Sequence, residues 1–117
     1  RGVAAYGARR FQDAAEAFGQ ALVLFPEATE LRLNYAQALA RIRRVDDALV
    51  EFERIANGPD GEDFPQAMYE AGNICLVRRE RATALVWYER FLAAAEKKGE
   101  ASGPLVERAR AMVAELK

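Results

Sequence analysis

The side-chain amides of Asn34, Gln37 and Asn73 are the groups whose type and spacing could do specific chemistry. Each amide offers two hydrogen-bond donors and an acceptor, so a row of amides can pair with the backbone of an extended peptide. Asn34 and Gln37 are three residues apart, which places them on one face if the segment is helical. These residues indicate recognition of a polypeptide. The alternative is that each is only a solvated polar residue.

Residues for catalysis or metal binding are scarce. The sequence has no His and one Cys, and its only Ser is Ser102. A Ser-His-Asp or Cys-His arrangement therefore cannot be assembled, and zinc sites of the Cys and His type fail by the same count. The acidic loop at residues 57–64 lacks the alternating ligands of a calcium loop, which favours a solvated turn. We expect no enzymatic activity, no cofactor and no metal.

Composition indicates a soluble globular protein. A chain of 117 residues with 51% hydrophobic and 30% charged residues is normally one folded domain. The net charge of -1 gives no reason to expect a nucleic-acid partner, and no apolar run is long enough to insert in a membrane. The chain does not begin with Met, so a removed leader stays open. The Ala- and Arg-rich composition favours a bacterial source, and in that case we expect a cytoplasmic or periplasmic location.

A decapeptide recurs three times, as RRFQDAAEAF (9–18), RRVDDALVEF (43–52) and RERATALVWY (79–88). Each copy has Ala at its sixth position and an aromatic residue at its tenth, and a second small residue precedes that Ala by 12 positions. Helices that cross closely need small side chains at the crossing and a large one to fill the adjacent gap. Each repeat is therefore predicted to be two antiparallel helices.

Apolar spacing of three and four residues, without strand alternation, predicts an all-helical chain. Pro26 and Pro59 should end two helices, and Gly99 is a plausible C-cap. We expect seven helices, near residues 1–8, 11–24, 28–42, 45–57, 64–78, 82–98 and 104–116. Cys75 lies within one of them and is expected to be a small core residue rather than a reactive thiol.

This repeat resembles the tetratricopeptide repeat, or TPR, over roughly residues 1–95. The matching positions are Gly2, Phe11, Ala14, Phe18, Ala21 and Pro26 in the first repeat, Tyr35, Ala36, Leu39, Ala48, Phe52 and Pro59 in the second, and Gly72, Ala84 and Tyr88 in the third. Arg32 and Met68 stand where the family has a Trp. The resemblance implies a right-handed α-solenoid forming a single domain, with repeats near 1–28, 29–62 and 63–98.

Both ends of the repeat array have their own features. The last segment, near residues 102–117, is expected to be a helix that closes the array, with Ser102 as N-cap and Pro104 in its first turn. Its predicted apolar stripe contains Leu105, Ala109, Met112, Val113 and Leu116. The first repeat lacks the start of its first helix, so we expect upstream residues or a neighbouring chain to complete it.

The resemblance implies a concave groove, lined by the first helix of each repeat, that binds a peptide or helix of a partner protein. The expected partner-binding residues are Leu33, Asn34, Gln37, Arg41, Tyr69, Glu70, Asn73 and Leu76, with Glu30, Gln66, Val3 and Tyr6 at flanking positions. One TPR subclass binds the C-terminal carboxylate of chaperones. Here Gln66 and Glu70 stand in place of the required cations, which argues against that activity.

A secondary contact surface is predicted at Arg43, Arg44, Arg78, Arg79, Val86 and Trp87. The arginines fall at the turns within repeats, where they either pair with local carboxylates or form a docking edge for an acidic partner. By repeat alignment Val86 and Trp87 point outward, unless a neighbouring helix covers them. We therefore expect a non-catalytic protein-interaction module. The alternative is an architectural repeat that forms homo-oligomers.

Overall fold

Six α-helices make up most of the computed structural model, which describes the backbone of residues 2–100 and 103–117 and the side chains of residues 10–100 and 103–117. The helices are α1 (Gly2–Leu24), α2 (Thr29–Arg41), α3 (Val45–Ala56), α4 (Pro65–Val77), α5 (Arg81–Lys97) and α6 (Pro104–Leu116), with a 3-10 turn at Gly61–Asp63. No strand occurs in these residues. The predicted all-α class is confirmed.

Contacts divide the chain into two compact units, unit 1 (Arg1–Ile55) and unit 2 (Ala56–Lys117). In unit 1, α1 packs on α2. In unit 2, α4 packs on α5, and α5 packs on α6. Helix α3 begins in unit 1, and its last residue belongs to unit 2.

The two turns within helix pairs have the same construction. Arg43 follows α2 with φ 68°, and Arg79 follows α4 with φ 64°. In each turn the next amide reaches back to a helical carbonyl, from Arg44 to Leu39 at 2.9 Å and from Glu80 to Cys75 at 2.8 Å. A left-handed residue with this bonding pattern closes a helix by satisfying its last carbonyls. The recurring arginines thus mark helix ends.

The expected turn near residues 9–10 is absent, because α1 runs unbroken from Gly2 to Leu24. The prediction of about seven helices is therefore wrong, and the described residues form six. The segment Ala8, Arg9 and Arg10 has high helix propensity, and each added residue gains a backbone hydrogen bond. A turn there would lose those bonds unless packing of two helices offset the loss.

Small residues and an aromatic form the centre of each unit, as predicted. Ala36, Ala48 and Phe52 are buried in unit 1, and the residues 36 positions later, Gly72, Ala84 and Tyr88, are buried in unit 2. A Cβ atom at Gly72 would lie 2.9 Å from Cε1 of Tyr88, so glycine is required for this close approach. The thiol of Cys75 is also buried.

Helix α6 starts cleanly after a glycine-containing connection. The C-cap of α5 is Lys98, and Gly99 follows it with φ 77°, so the glycine predicted as C-cap closes the helix from the next position, in the left-handed conformation. Pro104 is in the first turn of α6 after Gly103, whereas the predicted cap Ser102 lies outside the described residues.

The buried stripe of α6 differs by one residue from the predicted one. Val106 and Ala109 are buried and Leu105 is exposed. The buried stripe thus begins at Val106, three residues before Ala109, on the side of α6 that faces α5.

Candidate functional site

Helix α2 presents a polar row formed by Asn34, Gln37 and Arg41. These residues are three and four positions apart, so they follow one another along a single helical face. Asn34 and Arg41 are exposed and Gln37 is half-buried, whereas Leu33 is buried in the core. The row is therefore accessible from solvent along about two turns of the helix.

The amides of this row are available to a partner. Among the described residues, neither Asn34 nor Gln37 forms a side-chain hydrogen bond or another polar contact. The guanidinium of Arg41 lies over the ring of Phe11, 5.2 Å from its centroid, and both side chains are exposed. That contact orients the cation without using its hydrogen-bond donors.

The equivalent helix in unit 2, α4, uses Tyr69 differently from expectation. Tyr69 is only 5% exposed. Its ring meets Tyr88 edge-on at 5.9 Å and Phe91 at 5.2 Å between centroids. Arg108 of α6 donates to its hydroxyl at 3.5 Å. Tyr69 is thus a packing residue between α4, α5 and α6, and offers little surface to a partner.

Asn73 is engaged inside unit 2. Its Oδ1 accepts a hydrogen bond from the hydroxyl of Tyr88 at 2.6 Å, and its Nδ2 donates to Glu70 at 3.3 Å. Burial raises the pKa of Tyr88 to about 12, and nearby Tyr69 adds to the shift. The amide of Asn73 therefore satisfies a core hydroxyl, while Glu70 and Leu76 on the same helix remain partly accessible.

Val86 and Trp87 differ in their exposure to solvent. Val86 is exposed, whereas Trp87 is only 5% exposed, so of the two alternatives for Trp87 the covered one applies. The guanidinium of Arg90 covers its ring at 4.5 Å and donates to the carbonyl of Ala56 at 3.3 Å.

The repeat itself explains this burial. Trp87 occupies the position of Glu51 in the preceding repeat, and the Glu51 side chain is 14% exposed because it pairs with Arg32. The charge of Glu51 suggested a solvent-facing position, whereas this position faces a neighbouring helix.

The turn arginines are divided between local pairing and open solvent. Arg44 pairs with Asp47 at 2.6 Å, and Arg78 pairs with Glu80 at 3.1 Å. Arg43 and Arg79 are exposed at the left-handed positions of the two turns. Local pairing thus applies to Arg44 and Arg78, whereas docking of an acidic partner stays a prediction for Arg43 and Arg79. Val3 and Tyr6, the first-repeat groove residues, have side chains outside the described part of the chain.

An apolar patch at the end of α1 was not predicted. Val23, Leu24 and Phe25 are 81%, 74% and 62% exposed. The run LVLFP offered a signal, since consecutive apolar residues at a helix end cannot all face one core. Exposed apolar side chains in a row indicate a contact surface.

Among the described residues, no cluster of His, Cys, Asp or Glu is arranged to hold a metal ion. In the acidic loop, Glu62 pairs with Lys97 at 2.9 Å, and Lys98 donates to the carbonyl of Asp63 at 3.3 Å. None of the described helices combines the length and apolarity needed to span a bilayer.

Comparison with known protein families agrees with the repeat architecture. A model of the tetratricopeptide repeat matches residues 1–62, which is more than half of the chain. A comparison with curated proteins gave no match. The family match covers the same small and aromatic positions that pack the helices of unit 1. The chain belongs to the tetratricopeptide repeat family.

Proposed function

We propose that this chain is a non-catalytic protein-interaction module that binds a peptide or helix of a partner protein. TPR repeats are generally protein-interaction modules, and the family is typically a scaffold rather than an enzyme. The observation that carries the proposal is the open polar row of α2. Two amides, which have no polar partner among the described residues, and one arginine follow a single helical face there.

The chemistry of the row suits a polypeptide. Each amide of Asn34 and Gln37 can donate to a carbonyl and accept from an amide of an extended chain. Arg41 adds a charged fork that can hold a carboxylate in two parallel hydrogen bonds. The three groups extend over about 10 Å, which corresponds to about three residues of extended peptide.

Helix α4 contributes a smaller accessible set in its own unit. Glu70 and Leu76 remain half-buried and available, while Leu33, Tyr69 and Asn73 support the helices from within their units. Only the accessible members are proposed as contacts. The buried members are proposed to hold those contacts in place.

The test is a binding measurement with selected peptides. Peptides enriched from a random display library against the whole chain are labelled with fluorescein and titrated by anisotropy. The variant Asn34→Ala, Gln37→Ala and Arg41→Ala should bind at least about tenfold more weakly, because hot-spot losses exceed about 1 kcal/mol each. The matched control replaces Gln12, Glu16 and Gln20, three exposed polar residues of α1, with Ala. Equal affinity of the α2 variant and the wild type would exclude this row as the site.

Self-association is a second candidate function, favoured by the exposed patch of Val23, Leu24 and Phe25. Burying three large apolar side chains between copies could stabilise a dimer by several kcal/mol. Light scattering over a concentration series should then show a rising mass, and Val23→Glu with Leu24→Glu should restore the monomer. A constant monomer mass at all concentrations excludes the architectural function.

A further inference from the structure

A cavity of about 430 Å3 opens where the α4–α5 turn meets the last turns of α6. Its apolar wall consists of Leu76, Met112 and Leu116, which are all half-buried. Its polar rim consists of Arg79, Arg81 and Glu115, which are all exposed. The volume is within the range of roughly 300–1,000 Å3 typical of ligand pockets. All six residues belong to unit 2.

The two arginines of the rim are not neutralised locally. The nearby carboxylate of Glu80 pairs with Arg78 at 3.1 Å. Within the described part of the chain, no carboxylate forms an ion pair with Arg79 or Arg81. Two exposed cations therefore stand beside an apolar wall, and Glu115 supplies the one negative charge among the lining residues.

We propose that this cavity binds an acidic peptide segment of a partner protein, with one aliphatic side chain inserted against the apolar wall. The guanidinium groups of Arg79 and Arg81 can each hold a carboxylate, and flanking aspartates or glutamates of the peptide would supply them. The wall of Leu76, Met112 and Leu116 would bury the inserted side chain. This site extends beyond the α2 row and shares only Leu76 with the accessible face of α4.

A peptide fits these features better than an anionic membrane does. Binding to a bilayer surface requires a broad basic patch or an apolar helix face, and here the cations flank a concave cavity. Glu115 on the same rim would repel a uniformly negative surface. A peptide can instead place its carboxylates beside the arginines and away from Glu115.

The probe is a fluorescein-labelled peptide with two leucines flanked on each side by two aspartates, titrated against the whole chain by anisotropy. Binding should be saturable and should weaken as NaCl rises from about 50 to 300 mM, because exposed charges are screened. Arg79→Glu with Arg81→Glu should weaken binding at least about tenfold, and Glu115→Gln should tighten it about twofold. A gain of affinity in Glu115→Gln cannot result from misfolding. A loss in the arginine variant together with a gain in Glu115→Gln therefore identifies an electrostatic site.

The chain offers a matched control at the equivalent turn of unit 1. Arg43 is exposed and left-handed like Arg79, so Arg43→Glu tests the same backbone change away from the cavity and should leave affinity within about twofold. A peptide with alanines in place of leucines should lose most of the binding. The absence of saturable binding at protein concentrations up to about 1 mM would overturn the proposal, as would equal losses in Arg43→Glu and the unit 2 variant.

A vesicle arm tests the other class of ligand. Sedimentation with vesicles of phosphatidylcholine and phosphatidylglycerol should leave the chain in solution, and cosedimentation that depends on Arg79 and Arg81 would overturn the peptide assignment. The cavity variants leave Asn34, Gln37 and Arg41 intact. Failure of this site is therefore distinguishable from failure of the α2 row, whose selected peptides are measured with separate variants.

Discussion

Unit 1 and unit 2 place different chemistry at the same repeat positions. In unit 1 the guanidinium of Arg32 donates to the carboxylate of Glu51 at 2.5 Å, and the two side chains are 19% and 14% exposed. The residues 36 positions later in unit 2 are Met68 and Trp87, both buried. One unit thus uses an ion pair where the other uses two apolar side chains.

A second set of positions differs in the same manner. Unit 2 has Tyr88 with Asn73 bonded to its hydroxyl, and Gly72 leaves room for the ring. The equivalent residues in unit 1 are Phe52, Gln37 and Ala36. Phe52 has no hydroxyl to satisfy, so Gln37 remains free of side-chain hydrogen bonds among the described residues.

These differences show that the repeat determines which positions are buried, while paired residues determine whether a buried position is polar. A buried polar side chain without a hydrogen-bond partner destabilises the fold. The two partners are therefore either both present in a unit or both replaced. An amide that is released from the core, as in unit 1, becomes available for binding.

The largest difference between the units is expected at the position shared by Trp87 and Glu51. Trp87→Ala should lower the free energy of unfolding by about 3–5 kcal/mol, because it leaves a large cavity. Glu51→Ala should cost about 2 kcal/mol, because Arg32 loses the carboxylate but keeps its hydrogen bond to the carbonyl of Pro26 and stays partly hydrated. Urea denaturation of both variants measures the contrast. Equal losses would contradict the contrast between apolar packing at Trp87 and an ion pair at Glu51.

The ionisation of Tyr88 should make unit 2 sensitive to alkaline pH. Its pKa is about 12 in the folded chain against 10.0 for an exposed tyrosine, so the unfolded state loses the proton first. The stabilisation is therefore intact below about pH 10 and is lost as pH rises through about 12. At pH 11.5 the wild type should lose about 2 kcal/mol relative to Tyr88→Phe. A difference between the two that does not change with pH would contradict this shift.

Transfer of the tyrosine to unit 1 should be unfavourable unless its amide partner is transferred too. Phe52→Tyr should lower the free energy of unfolding by about 1.5 kcal/mol. The reason is that the side chain of Gln37, at the position of Asn73, is one methylene too long to accept from the new buried hydroxyl. Adding Gln37→Asn should recover about 1 kcal/mol, whereas Gln37→Asn alone should change stability by less than about 0.5 kcal/mol. Thermal unfolding of the three variants completes the cycle. Additive effects would show that no hydrogen bond forms.

The smallest effect is expected from the glycine of unit 2. Gly72→Ala should cost about 1 kcal/mol, because overpacking against the Tyr88 ring exceeds the gain in helix propensity. The control is Gly19→Ala in unit 1, where the new Cβ would lie 3.3 Å from Cε1 of half-buried Tyr35. That variant should be neutral or stabilising by up to about 1 kcal/mol. Chemical denaturation measures both, and equal effects would contradict the close approach at Gly72.

The fold was largely predictable because its determinants are local and repeated. Spacing of small and aromatic residues identified the buried centre of each unit, and Gly99 identified the end of α5. The continuity of α1 was not predictable from the repeat, since residues 8–10 align with turns but favour helix by propensity.

The candidate site was less predictable because alignment gives a residue's direction without its partners. Tyr69 and its counterpart Leu33 are both predicted to line the groove, yet both are buried, and the hydroxyl of Tyr69 is bonded to Arg108 of α6. Asn73 aligns with half-buried Gln37, but its amide is bonded to Tyr88. For Trp87 alignment left two alternatives open, and the covered one applies; its counterpart Glu51 is likewise mostly covered, in an ion pair with Arg32. Such contacts depend on long-range packing that spacing alone does not encode.

The most direct test of the central claim compares the two equivalent helices in binding of a selected peptide. The variant Asn34→Ala, Gln37→Ala and Arg41→Ala alters the open row of α2, while Asn73→Ala alters an amide already bonded to Tyr88. We predict at least about a tenfold loss of affinity for the α2 variant and less than about a twofold change for Asn73→Ala. A tenfold loss for Asn73→Ala with an unchanged α2 variant would contradict the account.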